Sequence, residues 1–246
     1  MKFGNIKLEE FLNVTLTATL VVIGIRVLFF YGGGTPWVQQ VIDRSQPTVA
    51  RDGGSIPPVN TPNSIVDANR SVVMLEGNRS LGSGVILTSD GLVLTNSHVI
   101  RNGSGQWRAR LYNDQELPVR IIAVGSREAG IHYDLALVQI EGAANLPAAQ
   151  FSDNLPQMGE PVWAIGAPYG KAEVVTQGEL KRISKGVLLT NTEVHPGNSG
   201  GPLLNQQGEV IGINTEISLN QPDNATTASI SVATLEEYLP KIMNNR

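Results

Sequence analysis

From about Ile65 to Asn214 the chain is cut into short β-forming runs, and no helical period of ten residues or more is found until the C-terminus. Eleven runs are read: Val72–Leu75, Gly84–Thr88, Leu92–Thr95, Trp107–Tyr112, Val119–Val124, Leu135–Ile140, Val162–Ile165, Glu173–Ile183, Gly186–Thr190, Pro202–Leu204 and Val210–Asn214. Gly, Asn, Asp and Pro signals such as Asp90-Gly91 and Gln207-Gly208 separate them. Many short strands at close spacing predict an all-β sandwich or barrel. At the end of the chain Thr234 and Glu237 form a capping box. Leu235, Tyr238, Leu239 and Ile242 then fall on one face, which predicts a single closing helix.

Before the β region lies an apolar run, Leu12 to Tyr31, 20 residues with Arg26 as the one charge. That length spans a bilayer core as a helix. Arg26 near the end of the run can snorkel to the interface, and Thr15, Thr17 and Thr19 can bond carbonyls of the preceding turn. The expectation is a transmembrane anchor over 12–31, after a short N-terminal segment 1–11 and before a Pro/Gly-rich linker 32–64 that leads into a folded domain 65–246. The alternatives are a cleaved signal peptide, releasing a secreted soluble form, and a buried helix of a soluble fold. The run exceeds an ordinary signal core of about 7–15 residues, which favours the anchor. Lys2 and Lys7, partly offset by Glu9 and Glu10, place the N-terminus on the cytoplasmic side and the folded domain outside.

Composition narrows the chemistry. The 246 residues suffice for a sizeable core. A net charge of -4 argues against a nucleic-acid partner. The absence of cysteine removes disulfides, Cys-type zinc sites, iron–sulfur clusters and thiol nucleophiles, and three histidines are few for a metal site. Neither cofactor nor metal is expected.

The densest functional signal is His195-Pro196-Gly197-Asn198-Ser199-Gly200-Gly201-Pro202. A serine among glycines can sit on a sharp turn whose amides, those of Gly197 and Ser199, aim at one point and so stabilise a developing oxyanion. Read alone, the segment also fits a Gly-rich hairpin loop. It also fits the nucleophile elbow of α/β-hydrolases, but no histidine follows Ser199, and that fold requires one there. A base must come from upstream. His98 stands just past a β run, in Thr95-Asn96-Ser97-His98-Val99, and imidazole has the right basicity to activate a serine. Asp134 opens the apolar strand Leu135-Ala136-Leu137-Val138, where a carboxylate can be held buried to receive the base's Nδ1–H. Each alone is an ordinary strand-end residue. Their chain order, His98, Asp134, Ser199, is that of chymotrypsin-like enzymes.

These segments resemble the HtrA/DegP-type trypsin-like serine proteases. The resemblance rests on Ser83-Gly84-Val85-Ile86-Leu87 with Asp90-Gly91, Thr95–Val99, Asp134-Leu135-Ala136, Pro196–Leu203 and Gly208–Thr215, and it covers about residues 70–243. It implies two six-stranded antiparallel β-barrels with a C-terminal helix, the first two triad members in one barrel and the serine in the other. It implies a serine endopeptidase that cleaves unfolded or exposed polypeptide in protein quality control; with the apolar run and its flanking charges, the expectation is a membrane-anchored, extracytoplasmic enzyme. Ser199 attacks, His98 shuttles the proton, Asp134 orients His98, and the amides of Gly197 and Ser199, helped by Asn198, form the oxyanion hole. Val194, Asn214, Thr215, Glu216 and Ile217 would line the substrate pocket. The β-branched Ile217 favours small aliphatic P1 residues, unless Glu193 points inward and favours Arg or Lys. The chain stops after the closing helix, so no PDZ domain is expected, and a homotrimer is left open. The rivals are a protease-like binding scaffold and a serine esterase.

Overall fold

The computed structural model of this chain describes residues 61–167, 174–217 and 224–244, except the side chains of Glu216 and Ile217. It contains two closed six-stranded antiparallel barrels of the same topology. In the first, β1 (Val72–Asn78), β2 (Ser80–Ile86), β3 (Leu92–Thr95), β4 (Ser104–Arg110), β5 (Glu116–Val124) and β6 (Ala136–Ile140) close in the order β1-β2-β3-β6-β5-β4. In the second, β7 (Pro161–Gly166), β8 (Val174–Ser184), β9 (Val187–Thr190), β10 (Pro202–Leu204), β11 (Val210–Ile217) and β12 (Thr227–Ser231) close as β7-β8-β9-β12-β11-β10. Closure leaves no sheet edge unpaired.

Each barrel is filled by its own apolar side chains. Val73, Leu75, Ile86, Val93, Trp107, Val138 and Ile140 form the first core. Val162, Ala164, Leu180, Leu188, Leu203 and Ile211 form the second. Full burial of such a side chain contributes about 1.5–3 kcal/mol. The alternating exposure of β5 marks it as a strand with one wet face, whereas β6, β7 and β12 are buried almost throughout.

The structure departs from the sequence reading in three places. Strand β12 went unread. Its residues Thr227-Ala228-Ser229-Ile230-Ser231 are all buried, yet they carry little apolar alternation. Internal acceptors make their burial tolerable: Thr227 Oγ1 donates to Thr192 O at 2.8 Å, and Ser229 Oγ to Asn214 Oδ1 at 2.9 Å. Two short helices, α1 (Asn63–Ala68) and α2 (Ser97–Asn102), are too brief to show a period. Through α1, Asn63 and Ser64 belong to the fold rather than the linker, and Ser64 Oγ donates to Gln206 O at 2.8 Å. The closing helix α3 (Val232–Asn244) starts before Thr234. Ser231 supplies the capping oxygen, accepting the Thr234 N–H at 3.3 Å, while Thr234 Oγ1 donates to Gly186 O at 2.9 Å.

Helix α3 ties the barrels together near the site. Tyr238 meets Tyr133 edge-on at 4.8 Å and His132 at 5.2 Å, and Lys241 lies 4.2 Å over the Tyr238 ring. His132 Nε2 is bonded to Lys185 O at 2.6 Å, so this histidine joins the segment before Asp134 to the β8–β9 turn. On the same helix, burial and then the neighbouring Asp153 push the Glu236 carboxyl above its ordinary range. A raised carboxyl contributes stability at low pH and loses it as pH rises through the folded-state value. Glu236→Gln is therefore expected to raise Tm at pH 7 by about one or two degrees, with a smaller gain near pH 4. A lower Tm at pH 7 would show that the carboxylate is stabilising there.

The anchor expected over 12–31 and nearly all of the expected linker lie outside the described residues. Among the described residues no helix is long and apolar enough to cross a membrane.

Candidate active site

Strand β3 ends at Thr95, and the chain turns through Asn96 into α2, which places His98 in the first turn of that helix. The first N–H groups of a helix need outside acceptors. Here Asp134 supplies one: its Oδ1 accepts the His98 N–H at 2.9 Å. Its Oδ2 lies 2.7 Å from His98 Nδ1. The same carboxylate accepts the Ser97 hydroxyl on Oδ1 at 2.8 Å and the Thr215 hydroxyl on Oδ2 at 2.7 Å. Asn96 Nδ2 holds the Asp134 main-chain carbonyl at 2.8 Å, and Arg127 Nε stands 3.9 Å from Oδ2. Asp134 is fully buried. Burial alone would push its carboxyl up; the hydrogen bond from the His98 ring, that ring's charge, the Thr215 hydroxyl and the His98 amide outweigh it and hold the carboxyl below its ordinary value.

The serine comes from the second barrel. His195 to Asn198 form a tight turn, closed by the Asn198 N–H on His195 O at 3.0 Å. Gly197 has φ +108°, which suits the third position of a type II turn after a proline. Ser199 follows, and Gly200 at φ +88° returns the chain to β10. A Cβ on Gly200 would lie 2.2 Å from Ser83 O and 2.3 Å from Thr95 Oγ1, so no larger residue fits where the two barrels meet. Ser199 Oγ donates to Thr215 O at a long 3.4 Å. Thr215 thus touches both Asp134 and Ser199 and brings the three expected residues to one place.

Among the described residues no main-chain acceptor takes the N–H of Gly197 or of Ser199. These two donors are unspent beside the hydroxyl. Asn198 does not join them, contrary to expectation, because its N–H closes the turn. Its side chain is buried, and its amide oxygen and nitrogen have no partner among the described residues.

The expected pocket residues divide. Asn214 faces inward: it is buried, Nδ2 donates to Pro202 O at 2.9 Å and Oδ1 accepts Ser229 Oγ at 2.9 Å, so its side chain braces β11 rather than facing a substrate. The Thr215 hydroxyl is likewise committed, to Asp134. Val194 packs half-buried on the second core. Glu216 and Ile217 pair with Ala228 and Thr227 in the sheet, and their side chains lie outside the described residues. Glu193 turns outward, its side chain 77% exposed, and pairs with His195 Nε2 at 3.1 Å. The sequence reading missed Ser97 and assigned Thr215 to a different task. A serine directly before the base histidine was the available signal for the first; nothing local points to the second.

Residues 82–213, just over half of the chain, match the trypsin-like peptidase domain family. A probable periplasmic serine endoprotease, DegP-like, from Pseudomonas savastanoi pv. phaseolicola is 36% identical over 194 residues, covering 75% of this chain and 36% of that protein. Another with the same description, from Pseudomonas putida, is 40% identical over 150 residues, covering 56% of this chain and 30% of the relative. The chain thus spans about a third of the length of these curated relatives. The crystal structure of the serine endoprotease from Yersinia pestis superposes with a TM-score of 0.67 at 30% identity, over 77% of this chain and 69% of that one. Two barrels of one topology, the meeting of His98, Asp134 and Ser199 between them and these relatives agree: the chain belongs to the trypsin-like peptidase family, beside the DegP-like serine endoproteases.

Proposed function

We propose that the protein is a serine endopeptidase that cleaves unfolded or exposed polypeptide segments through an acyl-enzyme, with His98, Asp134 and Ser199 as its catalytic residues. The observation that carries this reading is the meeting of a buried, donor-saturated Asp134 on His98 with a serine whose neighbouring amides are unspent. Ser199 Oγ, held by a long bond to Thr215 O, swings to His98 Nε2 when a peptide is bound; such contacts commonly tighten only in the substrate complex. His98 takes the hydroxyl proton as Oγ bonds to the peptide carbonyl carbon. The carbonyl electrons move onto oxygen, where the Gly197 and Ser199 amides receive the charge. His98 then delivers the proton to the leaving amine, and water repeats the sequence on the acyl-enzyme. Asp134 stays ionised and stabilises the imidazolium.

The periplasmic description of the relatives supports an extracytoplasmic setting, and the apolar run 12–31 supports a membrane anchor. We place it in extracytoplasmic protein quality control as part of this proposal, with a homotrimer as the candidate assembly. The purified full chain is expected to degrade unfolded β-casein and to react with a fluorophosphonate probe, while Ser199→Ala does neither. A chain that binds casein without cleaving it, or that turns over only small esters, would replace this reading with the scaffold or the esterase.

The pocket is proposed to prefer Val, Ala, Ile or Leu at P1. Glu193 turns outward to His195, so its carboxylate is not presented to a basic P1 side chain. One methylene more or less in such a pocket changes affinity by about 1 kcal/mol, so the preference is modest. Cleavage-site profiles of the wild type and Glu193→Gln are expected to coincide. A dominant Arg/Lys P1 that disappears in the variant would reverse the assignment.

A further inference from the structure

Ser83 lies in β2 and is fully buried. Every hydrogen-bonding group it owns is spent around the nucleophile. Its N–H donates to Ser199 O at 2.8 Å. Its hydroxyl donates to Gly197 O at 2.6 Å and accepts the Ala167 N–H, just past β7, at 2.9 Å. Its own carbonyl accepts the Thr95 hydroxyl at 2.6 Å, and Thr95 is three residues ahead of His98. One residue of the first barrel therefore holds both carbonyls that flank Asn198 in the second barrel, and is itself bonded to the strand that delivers the base.

We propose that Ser83 is a positioning residue for the peptidase reaction: its hydroxyl fixes the Gly197–Ser199 segment, and with it the nucleophile and the two oxyanion amides, against the strand carrying His98. The proposal rests on the peptidase reading above. Any residue but proline at this position offers the N–H that holds Ser199 O. Only a hydroxyl can also donate to Gly197 O while accepting from Ala167 N. Alanine would leave two buried main-chain groups unpaired, one of them in the turn that orients the amides. The segment has no slack to absorb the change. A Cβ on Gly166 would lie 2.6 Å from Asn198 Cα, and one on Gly201 would lie 2.1 Å from Ile165 O, so the turn is seated main chain against main chain. A shift at Gly197 is therefore passed to Ser199.

Ser83 makes no hydrogen bond to His98 or Asp134, so the basicity of His98 is outside its reach. The defect belongs to the chemical step, not to substrate binding and not to the pH dependence. Misplacement of about 1 Å at reacting groups costs on the order of 100-fold in rate.

The test uses the full chain and a peptide substrate. Ser83→Ala is expected to lower kcat by about 10- to 100-fold with KM within about threefold and the acidic limb of the pH profile unmoved. Ser83→Thr and Ser83→Val separate the hydroxyl from bulk, because they add similar volume and differ in that one group. Below the melting temperature of both, Thr is expected to exceed Val by at least about tenfold in kcat. This pair decides the matter if the alanine variant fails to fold. The proposal is overturned if Ser83→Ala keeps kcat within about threefold, if the loss falls on KM, or if Thr and Val are equal. An active wild type with an unaffected Ser83→Ala removes this inference alone; a wild type without peptidase activity removes the underlying reading and this inference with it.

Discussion

Ser199→Ala and His98→Ala are each expected to lower kcat on a peptide substrate by on the order of a millionfold, and the double variant by scarcely more, because nucleophile and base act as a unit. The fold should survive both changes. Among the described residues Ser199 Oγ makes only the 3.4 Å bond to Thr215 O, so its removal leaves no strong acceptor there unpaired. His98 is the more costly loss: Asp134 Oδ2 gives up its 2.7 Å ring partner but keeps Thr215, while the His98 main-chain N–H still serves Oδ1. Near-UV circular dichroism should therefore match the wild type for Ser199→Ala and show at most a small loss of Tm for His98→Ala. What activity is left, about 10³–10⁴ over water, belongs to the unspent Gly197 and Ser199 amides and to substrate binding. Casein degraded at the wild-type rate by Ser199→Ala would remove the central proposal.

The barrels were readable because their walls are made of short apolar runs between turn signals, and strands such as β3 and β7 lie within a residue of their expected limits. The sequence signal fails where burial is achieved without apolar side chains. Strand β12 is buried throughout but is built mainly from Ser, Thr and Ala, and the hydroxyls of Thr227 and Ser229 are satisfied by Thr192 and Asn214, residues distant in sequence. Local patterning cannot register such partners. The capping box failed for a related reason: Thr234 has the right residue type and spacing, but Gly186 in the second barrel claims its hydroxyl and Ser231 takes the capping position.

The candidate site divides along the same line. His98, Asp134 and Ser199 stood out because residue type, local turn and chain order point to one chemistry. The family resemblance placed Thr215 and Asn214 beside the substrate, yet both side chains turn to partners inside the protein. Consecutive residues of a strand face opposite ways, and a bulge between Asn214 and Glu216 shifts the register, so the facing of Thr215 was set by its partners rather than its neighbours. The same applies to Asn198, whose place in the nucleophile motif suggested a third oxyanion donor although its N–H is required to close the turn that aims the other two.

Asp134→Asn is the second large effect, expected to lower kcat by about 10⁴-fold near neutral pH with little change in KM. The size follows from the donors crowded on this carboxylate. Ser97 Oγ and the His98 N–H converge on Oδ1; His98 Nδ1 and Thr215 Oγ1 converge on Oδ2. A carboxylate accepts all four, whereas an amide accepts on one atom only. With its oxygen kept on the Oδ1 side for the His98 N–H, the new NH2 faces His98 Nδ1. The ring must then accept at Nδ1 and carry its proton on Nε2, the nitrogen that has to receive the proton of Ser199. Geometry is preserved and the tautomer is wrong. Stability moves separately. Because Asp134 is held below its ordinary value, it contributes stability that is complete above the unfolded-state carboxyl range and is lost as pH falls through the depressed folded value. The Tm difference between wild type and Asp134→Asn should therefore narrow as the pH is taken from 7 toward 3. Comparable kcat values for the two proteins at pH 7 would show that Asp134 does not set the tautomer of His98, and the role assigned to it would fall.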